Sequence, residues 1–479
     1  MFPEKKVNAD TSNSNQPTRR DVNWHSLVLS LPILIYGILD SHHSRGTWML
    51  VLSRGAKRPI VRLNLAGNEV LVLNDAQDAE ELLGHRSRNY SSRPPLIYAG
   101  RYQSKDKRLV LLPYGKTLKR QRAAFARMVQ PKAVGGYEAI QETEAVKLLH
   151  DMLTRPQTPT RHLRRFAASL VFHLSYGDRL KDDDRDLEAV TAVLNGFVQD
   201  TYPGSHLVDS FPTLDYLPAP LATWRKEATE KHRSEMKLYQ RLALDVKSRI
   251  DQGDSSLECF AARLWDDAGD SQVDLEELSY LAGSAFEAGT DTSTGTMQWF
   301  IMAMVMYPEA MRTAQAELDM VLGADGNTMP GFEHFGRLPY CSALVKEVFR
   351  WAPPAPGGFP HLSEEDDSYE GFFIPGKTMV IPCIWSMHHN EPEFPNSHTF
   401  LPERFLDGKG AAVEHSGLLD GHYAFGFGRR KCPGQHLGAK SMWIGMTCLL
   451  WAFDITPQRD AEGNPIRVDP SNCTSGMTS

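Results

Sequence analysis

The sequence predicts a mainly α-helical fold with minor β structure (α+β), built around one long central helix. The stretch 115–320 has helical patterning throughout, apart from proline-rich turns near 203–220. A helical run begins after Asp274 and meets no proline before Pro308, so the helix exceeds about 30 residues, or roughly 45–50 Å at about 1.5 Å per residue. Strand-like sequence is confined to two short stretches, 60–74 and 372–384.

Composition indicates one large globular domain over 45–479. The 479 residues are 41% hydrophobic, which is enough for a large core, and no linker or repeat divides the chain after residue 50. The formal net charge of -7 is spread along the sequence, which excludes the strongly basic surface of a nucleic-acid-binding domain. The six cysteines are far apart and form no CxxC pair, a pattern typical of reduced thiols in a cytosol-facing protein.

The N-terminal region divides into a polar leader, 1–23, and an apolar segment, 24–44. We expect the leader to be disordered, because it is polar throughout. The apolar run 27–39 has 13 residues, fewer than the ~20 that a helix needs to cross a bilayer. The segment is therefore predicted to associate with a membrane by lying in the interface or inserting partly. The alternative is a helix buried against the domain.

The elements follow in order along the chain. Residues 60–74 alternate apolar side chains around a Gly-Asn turn, which predicts a β-hairpin. Residues 76–84 predict a short helix that stops at Gly84. Asp274 and Glu277 have the spacing of a capping box at the start of the central helix. The last long helix is expected to run from Leu437 to Trp451.

A polar segment interrupts the central helix. Residues 289–295 hold two glycines among Thr, Asp and Ser; glycine costs about 1 kcal/mol in a helix interior, and the hydroxyl side chains compete for backbone carbonyls. A weakly helical patch inside a core helix suggests a functional constraint. The alternative is that this segment lies on a solvent-exposed face.

The loop 425–434, with the sequence FGFGRRKCPG, lies shortly before the last helix. It suits a cysteine thiolate that binds a metal, because Gly428 and Gly434 allow backbone N–H groups to approach the sulfur of Cys432. A nearby cation and the positive end of the following helix both favour the thiolate. Phe425 is placed to shield the sulfur from water.

The pattern F-x-x-G-x-R-x-C-x-G, filled by Phe425, Gly428, Arg430, Cys432 and Gly434, resembles that of the cytochrome P-450 family. The stretches YGKTLKRQRAAF, YPGSHLVDSFP and FGFGRRKCPGQHLG are closest to eukaryotic membrane-bound members of fungal type. The resemblance implies a haem-thiolate monooxygenase whose long helix crosses the haem. The cofactor would be haem b, and Cys432 would be the axial ligand of its iron.

The resemblance also implies the roles of further residues. Ala288–Ser293 is similar to the oxygen-activation segment of the family, in which Asp291 would relay protons and Thr292 would hold a water. Arg430, His361 and Arg122 match positions that bind the haem propionates. Leu118 stands where the family usually has a hydrogen-bonding Trp. For Arg122 a solvated helix arginine, and for His361 a satisfied loop histidine, are the alternatives.

Three charged residues match a structural network of the family on the cysteine side of the haem. Glu347 and Arg350 share one helix face, and Arg404 lies in the motif Pro-Glu-Arg-Phe. The resemblance implies that they form a buried ion-pair network that maintains the fold. Taken alone, an i,i+3 pair is more often exposed and worth little.

The reaction that the resemblance implies is the oxidation of an apolar organic substrate, of the kind found in secondary metabolism, with dioxygen and electrons from an NADPH-dependent cytochrome reductase. The implied location is the cytosolic face of the endoplasmic reticulum membrane. A basic cluster on the cysteine side is expected to bind the reductase: Lys116, Lys119, Arg120, Arg429 and Lys431. The substrate pocket is expected to be lined by 95–112, Phe286 and 355–359.

Two alternatives to a monooxygenase remain at this point. The first is a haem enzyme of the same fold that acts as an isomerase or dehydratase without dioxygen, against which the intact Asp291–Thr292 pair argues. The second is a haem-binding protein without activity. Members of the family usually have a longer anchor and a further β-hairpin after the last helix, and both ends of this sequence depart from that pattern.

Overall fold

The computed structural model describes residues 59–65, 67–181, 185–202, 204–254, 257–268, 274–408, 410 and 417–469. The predicted leader and the apolar segment 24–44 lie outside these residues, so the predicted division into domains stays a prediction. In the part of the chain that the structure describes, no helix combines the length and the apolar character that crossing a bilayer requires.

Helices make up most of the structure. The α-helices are α1 Ala76–Ala79, α2 Ser87–Tyr90, α3 Lys116–Val129, α4 Pro131–Gly135, α5 Glu138–Thr154, α6 Pro159–Tyr176, α7 Arg185–Thr201, α8 Leu207–Ser210, α9 Thr223–Asp251, α10 Phe260–Ala268, α11 Leu275–Met306, α12 Pro308–Leu322, α13 Pro339–Trp351, α14 Ile384–His388 and α15 Gln435–Ala452. Glu80–His85 and Ile97–Gln103 are π-helical, and 3₁₀ turns occupy Pro212–Tyr216, Ala219–Leu221, Phe332–Arg337, Pro402–Phe405 and Gly428–Arg430.

Two small sheets complete the fold. The strands are β1 Ile60–Leu65, β2 Asn68–Leu73, β3 His361–Leu362, β4 Asp367–Tyr369, β5 Phe372–Ile374 and β6 Met379–Pro382. The larger sheet has the order β1-β2-β6-β3, in which only the β2–β6 pair is parallel. β4 and β5 form a separate antiparallel pair. The mainly α fold with minor β structure is thus confirmed.

The predicted central helix is α11, and it is continuous over 32 residues. Asp274 caps it by accepting a hydrogen bond from the N–H of Glu277 at 2.6 Å. The predicted capping box is only half formed, because the Glu277 carboxylate binds the Arg120 guanidinium at 2.5 Å instead of turning back to the cap. The helix is a core element, since it packs against α6, α9 and α15.

The polar segment does not interrupt α11, contrary to the prediction. Thr290, Thr292, Thr294 and Thr296 each donate their hydroxyl to the carbonyl four residues earlier, at 2.6–2.8 Å, so the side chains are satisfied without opening the helix. Gly289 allows close packing, because a Cβ there would lie 2.5 Å from Val171 of α6. The alternative of a solvent-exposed face is wrong, because Thr290 and Thr294 are buried and the other five residues of 289–295 are half-buried.

The segment 289–295 lies where α11 passes from one hydrophobic core to another. The N-terminal half of α11, with Leu278 and Leu281, packs in a core shared with α6 and α9. The C-terminal half of α11, with Met297 and Phe300, packs in a second core shared with α13 and α15. Polar side chains at the boundary therefore avoid both apolar clusters.

The remaining elements follow the sequence closely. The hairpin at 60–74 is confirmed as β1 and β2. The helix predicted over 76–84 begins as α1 and continues as a π-helical turn to His85, one residue beyond the predicted stop. The last helix begins at Gln435, two residues before the predicted start. The strand-like stretch 372–384 divides between β5 and β6, which belong to different sheets.

Candidate active site

Cys432 lies in a tight loop that ends at the N-terminus of α15. Its N–H donates to the Phe425 carbonyl at 2.9 Å, which closes the loop 425–432. The N–H of Gly434 donates to the Cys432 sulfur, and α15 begins at the next residue. The sulfur therefore faces a backbone donor and the positive end of an 18-residue helix, two features that stabilise a thiolate.

Burial raises the pKa of the Cys432 thiol above its ordinary value, and the Gly434 N–H and Arg122 oppose that shift only in part. The thiol is therefore protonated at neutral pH in the absence of a metal. A metal that takes the thiolate must displace this proton, so metal binding there releases a proton.

Gly428 is required by the geometry of the loop. Its φ is +54°, and a Cβ at this position would lie 1.9 Å from the Leu83 carbonyl oxygen. The loop therefore rests directly on the backbone of the π-helical turn Glu80–His85. Gly434 has a looser role, since a Cβ there would lie 3.9 Å from the Cys432 sulfur.

Three arginines and one histidine lie together beside this loop. Arg122 of α3 donates to the Lys431 carbonyl at 2.8 Å, and Arg430 donates to the Ser91 carbonyl at 2.7 Å. Arg93 donates to the Phe359 and Pro360 carbonyls at 2.9 and 2.6 Å. Burial, together with the charges of the neighbouring arginines, lowers the pKa of Arg93 and lowers that of Arg430 to about 10.

This arginine cluster, Arg93, Arg122 and Arg430, fits the propionates of a haem. Among the described residues, the bonds of the three guanidiniums go to backbone carbonyls, and no carboxylate forms an ion pair with them. Buried cations without counter-ions are costly, so the cluster suits a ligand that brings carboxylates. The two propionates of haem b would supply them with charge-assisted hydrogen bonds.

His361 occupies the edge strand β3 next to the cluster. Its Nδ1 lies 2.7 Å from the Tyr90 carbonyl, so this nitrogen carries the proton, and Nε2 remains for a further partner. Burial and the charge of Arg93 lower the pKa of His361, so the imidazole is neutral. A propionate beside it would favour protonation of Nε2 and hence a hydrogen bond. The propionate-binding roles of Arg122 and His361 stay predictions, because Arg122 is only half-buried and the Tyr90 bond of His361 also agrees with the alternative of a satisfied loop histidine.

Arg93 was missed by reasoning from the sequence. It lies between Ser91-Ser92 and Pro94-Pro95, in a stretch without a charge pattern. The guanidinium of Arg93 is recognised as part of the cluster only because the structure places the Phe359 and Pro360 carbonyls beside it.

A further correction concerns Phe286, which was expected to line the pocket but is fully buried against Phe172, with ring centroids 5.2 Å apart.

The residues predicted to deliver protons lie in the middle of α11. Ala288 is exposed although it belongs to a core helix, and Thr292, one turn later, is half-buried on the same face. The Thr292 hydroxyl donates to the Ala288 carbonyl at 2.8 Å, which leaves its lone pairs available as acceptors. Asp291 is half-buried beside them. This face combines a small side chain, a hydroxyl and a carboxylate, the groups that proton transfer to dioxygen requires.

Glu347 contacts both arginines of the predicted structural network. Arg350 donates from Nε and Nη2 to the two oxygens of Glu347 at 2.7 and 2.8 Å, and both side chains are fully buried. Arg404 donates to Glu347 at 3.2 Å, and the N–H of Leu401 donates to it at 2.8 Å. Glu347 thus joins α13 to the 3₁₀ turn Pro402–Phe405.

The basic cluster is partly assembled. Lys119 and Arg429 both lie over the ring of Tyr114, at 4.9 and 5.5 Å from its centroid, and Lys116 and Lys431 are exposed nearby in sequence. Arg120 does not belong to this surface, because its guanidinium is paired with Glu277. We call Lys116, Lys119, Arg429 and Lys431 the basic surface.

Comparison with known proteins gives a consistent result. The family model described as cytochrome P-450 matches residues 30–474. A cytochrome P-450 monooxygenase of Armillaria gallica is 35% identical over 432 residues, which cover 89% of this chain and 82% of that protein. Cytochrome P-450 monooxygenase 58 of Postia placenta is 36% identical over 85% of this chain and 78% of its own length, and monooxygenase aneD of Aspergillus aculeatus is 34% identical over 86% and 78%.

Proposed function

We propose roles for the site residues on the premise that this chain belongs to the cytochrome P-450 family and is a haem-dependent monooxygenase. The family binds haem b through a cysteine thiolate, and we assign that ligand to Cys432. The observation that carries the assignment is the position of Cys432 at the start of α15, beside the arginine cluster. When bound, the haem supplies the iron at which dioxygen is reduced, and the thiolate donates electron density that favours O–O cleavage in this family.

The residues of the chain act around that group in three ways. Gly434 directs its N–H at the Cys432 sulfur, and Phe425 covers the loop by packing against Phe349, with ring centroids 5.2 Å apart. The arginine cluster and His361 hold the propionates and thereby fix the orientation of the ring. Asp291 and Thr292 supply protons on the α11 side, Thr292 by holding a water and Asp291 by passing protons to it.

Substitution of the acid and the hydroxyl tests this role. In an assay with NADPH, a cytochrome reductase and dioxygen, we expect Asp291→Asn to slow dioxygen reduction by roughly 10²-fold, the lower end of what a positioned proton donor contributes. Thr292→Ala is expected to divert electrons to hydrogen peroxide. Dioxygen consumption and peroxide release are the measurements.

Thr294→Ala is the matched control, because its hydroxyl makes the same i−4 bond, at 2.6 Å, from a buried face of the same helix. Equal effects of Thr292→Ala and Thr294→Ala would contradict the assignment and indicate a purely helical role. Rearrangement of a hydroperoxide without NADPH would instead favour the isomerase or dehydratase alternative.

A redox partner, an organic substrate and dioxygen follow from the family. We propose that the partner is an NADPH-cytochrome reductase that binds the basic surface and that the substrate is apolar. The four cations of this surface lie on or near the Cys432 loop, on a protein whose net charge is -7, so they can attract an acidic partner to this side of the molecule. Reduction by the reductase is expected to slow as salt is raised, because screening weakens this attraction.

We also propose association with the cytosolic face of the endoplasmic reticulum membrane. Four of the most exposed large apolar side chains fall within 15 residues, between α7 and α9: Leu207 at 68%, Phe211 at 52%, Tyr216 at 90% and Leu221 at 69% exposure. Several exposed large apolar side chains in one short segment suit insertion into a lipid surface. The apolar segment 27–39 would contribute a second contact.

Vesicle flotation tests this proposal. Replacing Leu207, Phe211 and Leu221 with Ser is expected to lower partitioning onto phosphatidylcholine vesicles by about 10-fold or more, since burying one large apolar side chain is worth about 1.5–3 kcal/mol. The control replaces Leu153 and Met320, which are 72% and 80% exposed in other helices. Equal losses in both variants would contradict a membrane-facing patch at 207–221.

A further inference from the structure

A second ionised cluster is buried beside α11, away from the arginine cluster. Arg108 donates from Nη1 to both oxygens of Glu287, at 2.8 and 3.0 Å, and from Nη2 to Glu235 at 2.7 Å. Their exposures are 1%, 5% and 3%, so none of the three reaches solvent directly. Glu287 immediately precedes Ala288 in α11, and Glu235 lies on α9.

The charges of this cluster do not balance. Two carboxylates share one guanidinium, which leaves one negative charge too many for a buried site unless a proton is held there. Burial, and the nearby charge of Glu235, raise the pKa of Glu287, although Arg108 opposes the shift. Arg108 keeps its own proton, but its planar group holds both carboxylates side by side. It can thus stabilise whichever of the two is ionised.

Hydrogen-bonding groups connect this cluster to the surface. Glu276 has a side-chain exposure of 26%, and its carboxylate lies 2.9 Å from Nε2 of His232. Nδ1 of His232 lies 3.1 Å from the hydroxyl of Tyr280. That hydroxyl donates to Glu235 at 2.9 Å. Every step from Glu276 to Glu235 is therefore between groups that can accept and release a proton.

A polar stripe on α11 continues from the cluster to the active site. Tyr280, Ser284, Glu287 and Asp291 follow one another at spacings of four, three and four residues, so they lie on one face of the helix. Ser284 is 9% exposed, and its hydroxyl has no hydrogen-bond partner among the described residues. A buried, unsatisfied hydroxyl between Tyr280 and Glu287 is a typical position for an ordered water.

We propose that this row of groups conducts protons from solvent at Glu276 to Asp291, with Glu287 as the final relay, an inference that rests on the proposed function. Each proton that Asp291 gives up is replaced from Glu287. Glu287 regains its proton from Glu235, which shares the Arg108 guanidinium with it. Glu235 in turn regains its proton from Glu276, which exchanges with bulk water, by way of His232 and Tyr280. The row itself is unchanged after each transfer. Dioxygen reduction, which the redox partner supplies with electrons, consumes the protons. Glu287 is a positioning residue, because it acts through Asp291.

A purely structural role is the competing explanation. Arg108 lies over the ring of Phe197 at 3.8 Å, so the same cluster ties α7 and α9 to α11 and to the loop that follows Gln103. A tie of this kind depends on hydrogen bonds and charge, whereas a relay also depends on a transferable proton. Glu287→Gln separates the two, since the amide retains an oxygen and a similar shape but cannot pass a carboxyl proton.

The matched control is Glu144→Gln. Glu144 is also fully buried and is also bound by two arginines, Arg165 at 2.9 Å and Arg179 at 2.5 Å, but it lies on α5 outside the row. Both variants lose a buried carboxylate, and both are expected to show similar losses of thermal stability. Only a relay role would make their other properties differ.

The first readout is infrared spectroscopy of the purified full chain over a pH series. The carbonyl stretch of a protonated buried carboxyl is expected in the wild type, shifted in D₂O, lost as pH rises, and absent in Glu287→Gln but retained in Glu144→Gln. The groups that face Glu287 and set this titration are Arg108 from the preceding loop, Glu235 and Tyr239 on α9, Tyr176 on α6, and Tyr280 on α11. Asp291 follows one helical turn later on the same face of α11.

The second readout is NADPH-driven dioxygen reduction with a reductase, in H₂O and D₂O. Glu287→Gln is expected to slow the reduction of dioxygen to water by roughly 10²-fold, with a larger solvent isotope effect and more hydrogen peroxide. Loss of stability with an unchanged isotope effect and an unchanged infrared band would overturn the proposal. Failure of the proposed function would appear separately, as a wild type without the carbon monoxide spectrum of thiolate-ligated haem.

Discussion

Cys432→Ala is expected to abolish the thiolate-type Soret band of the reduced carbon monoxide complex and to reduce monooxygenase turnover to background. The Gly434 N–H donates to the Cys432 sulfur, and alanine leaves that donor and the α15 terminus with no anion. The arginine cluster is untouched by this change. Some haem is therefore expected to remain bound through its propionates, with another axial ligand or none.

Cys259→Ala is the control for this experiment. Cys259 is also buried, at 4% exposure, and burial likewise raises its pKa, but it lies just before α10, distant in sequence from the loop. Its replacement is expected to leave the band unchanged. A Cys432→Ala protein that retained the thiolate band would require another cysteine as ligand, and the assignment of Cys432 would be withdrawn.

The fold was predictable from the sequence where local signals agree with packing. The hairpin at 60–74, the Asp274 cap and the proline at 308 each fix an element by chemistry that needs no distant partner. The division of 372–384 between two sheets was not predictable, because β6 pairs with β2, about 300 residues earlier. Periodicity along one segment contains no information about which strand lies beside it.

The site shows the same division. The loop around Cys432 was recognisable because glycines, a cation and a helix start must all be adjacent in sequence there. The partners that make the site specific come from elsewhere, as Arg93 does. The half-formed capping box has the same cause, since Arg120 on α3 competes for the Glu277 carboxylate. The sequence predicts that residues 289–295 weaken α11, but the structure shows that the hydroxyls of Thr290 and Thr294 bond carbonyls within the helix.

Glu347→Ala is expected to destabilise the protein by about 3–5 kcal/mol, the cost of leaving a buried charge without its partner. Arg350 is 0% exposed, and two of its hydrogen bonds go to Glu347 at 2.7 and 2.8 Å. Its remaining bonds, to the carbonyls of His388 at 2.7 Å and Thr399 at 3.4 Å, do not neutralise its charge. The midpoint of urea unfolding, followed by circular dichroism, is the measurement.

Arg404→Ala is expected to cost less than Glu347→Ala, because it leaves Glu347 still paired with Arg350 on α13. Arg404 contributes a single 3.2 Å bond to the carboxylate and otherwise binds the carbonyls of Pro395 and Thr399 at 2.9 and 3.3 Å. Glu309→Ala, which breaks the exposed pair with Arg312, is expected to leave the unfolding midpoint almost unchanged.

The loss of stability is expected to decrease in the order Glu347, Arg404, Glu309, because these side chains are progressively less buried. The carboxylate of Glu347 also accepts a hydrogen bond from the N–H of Leu401, and it thereby holds the 3₁₀ turn Pro402–Phe405 against α13. If Glu347→Ala instead kept a normal midpoint but shifted the carbon monoxide spectrum, the network would act on the ligand loop, not on the fold. Glu347 would then be needed to position the Cys432 loop, and its proposed role in stabilising the fold would be wrong.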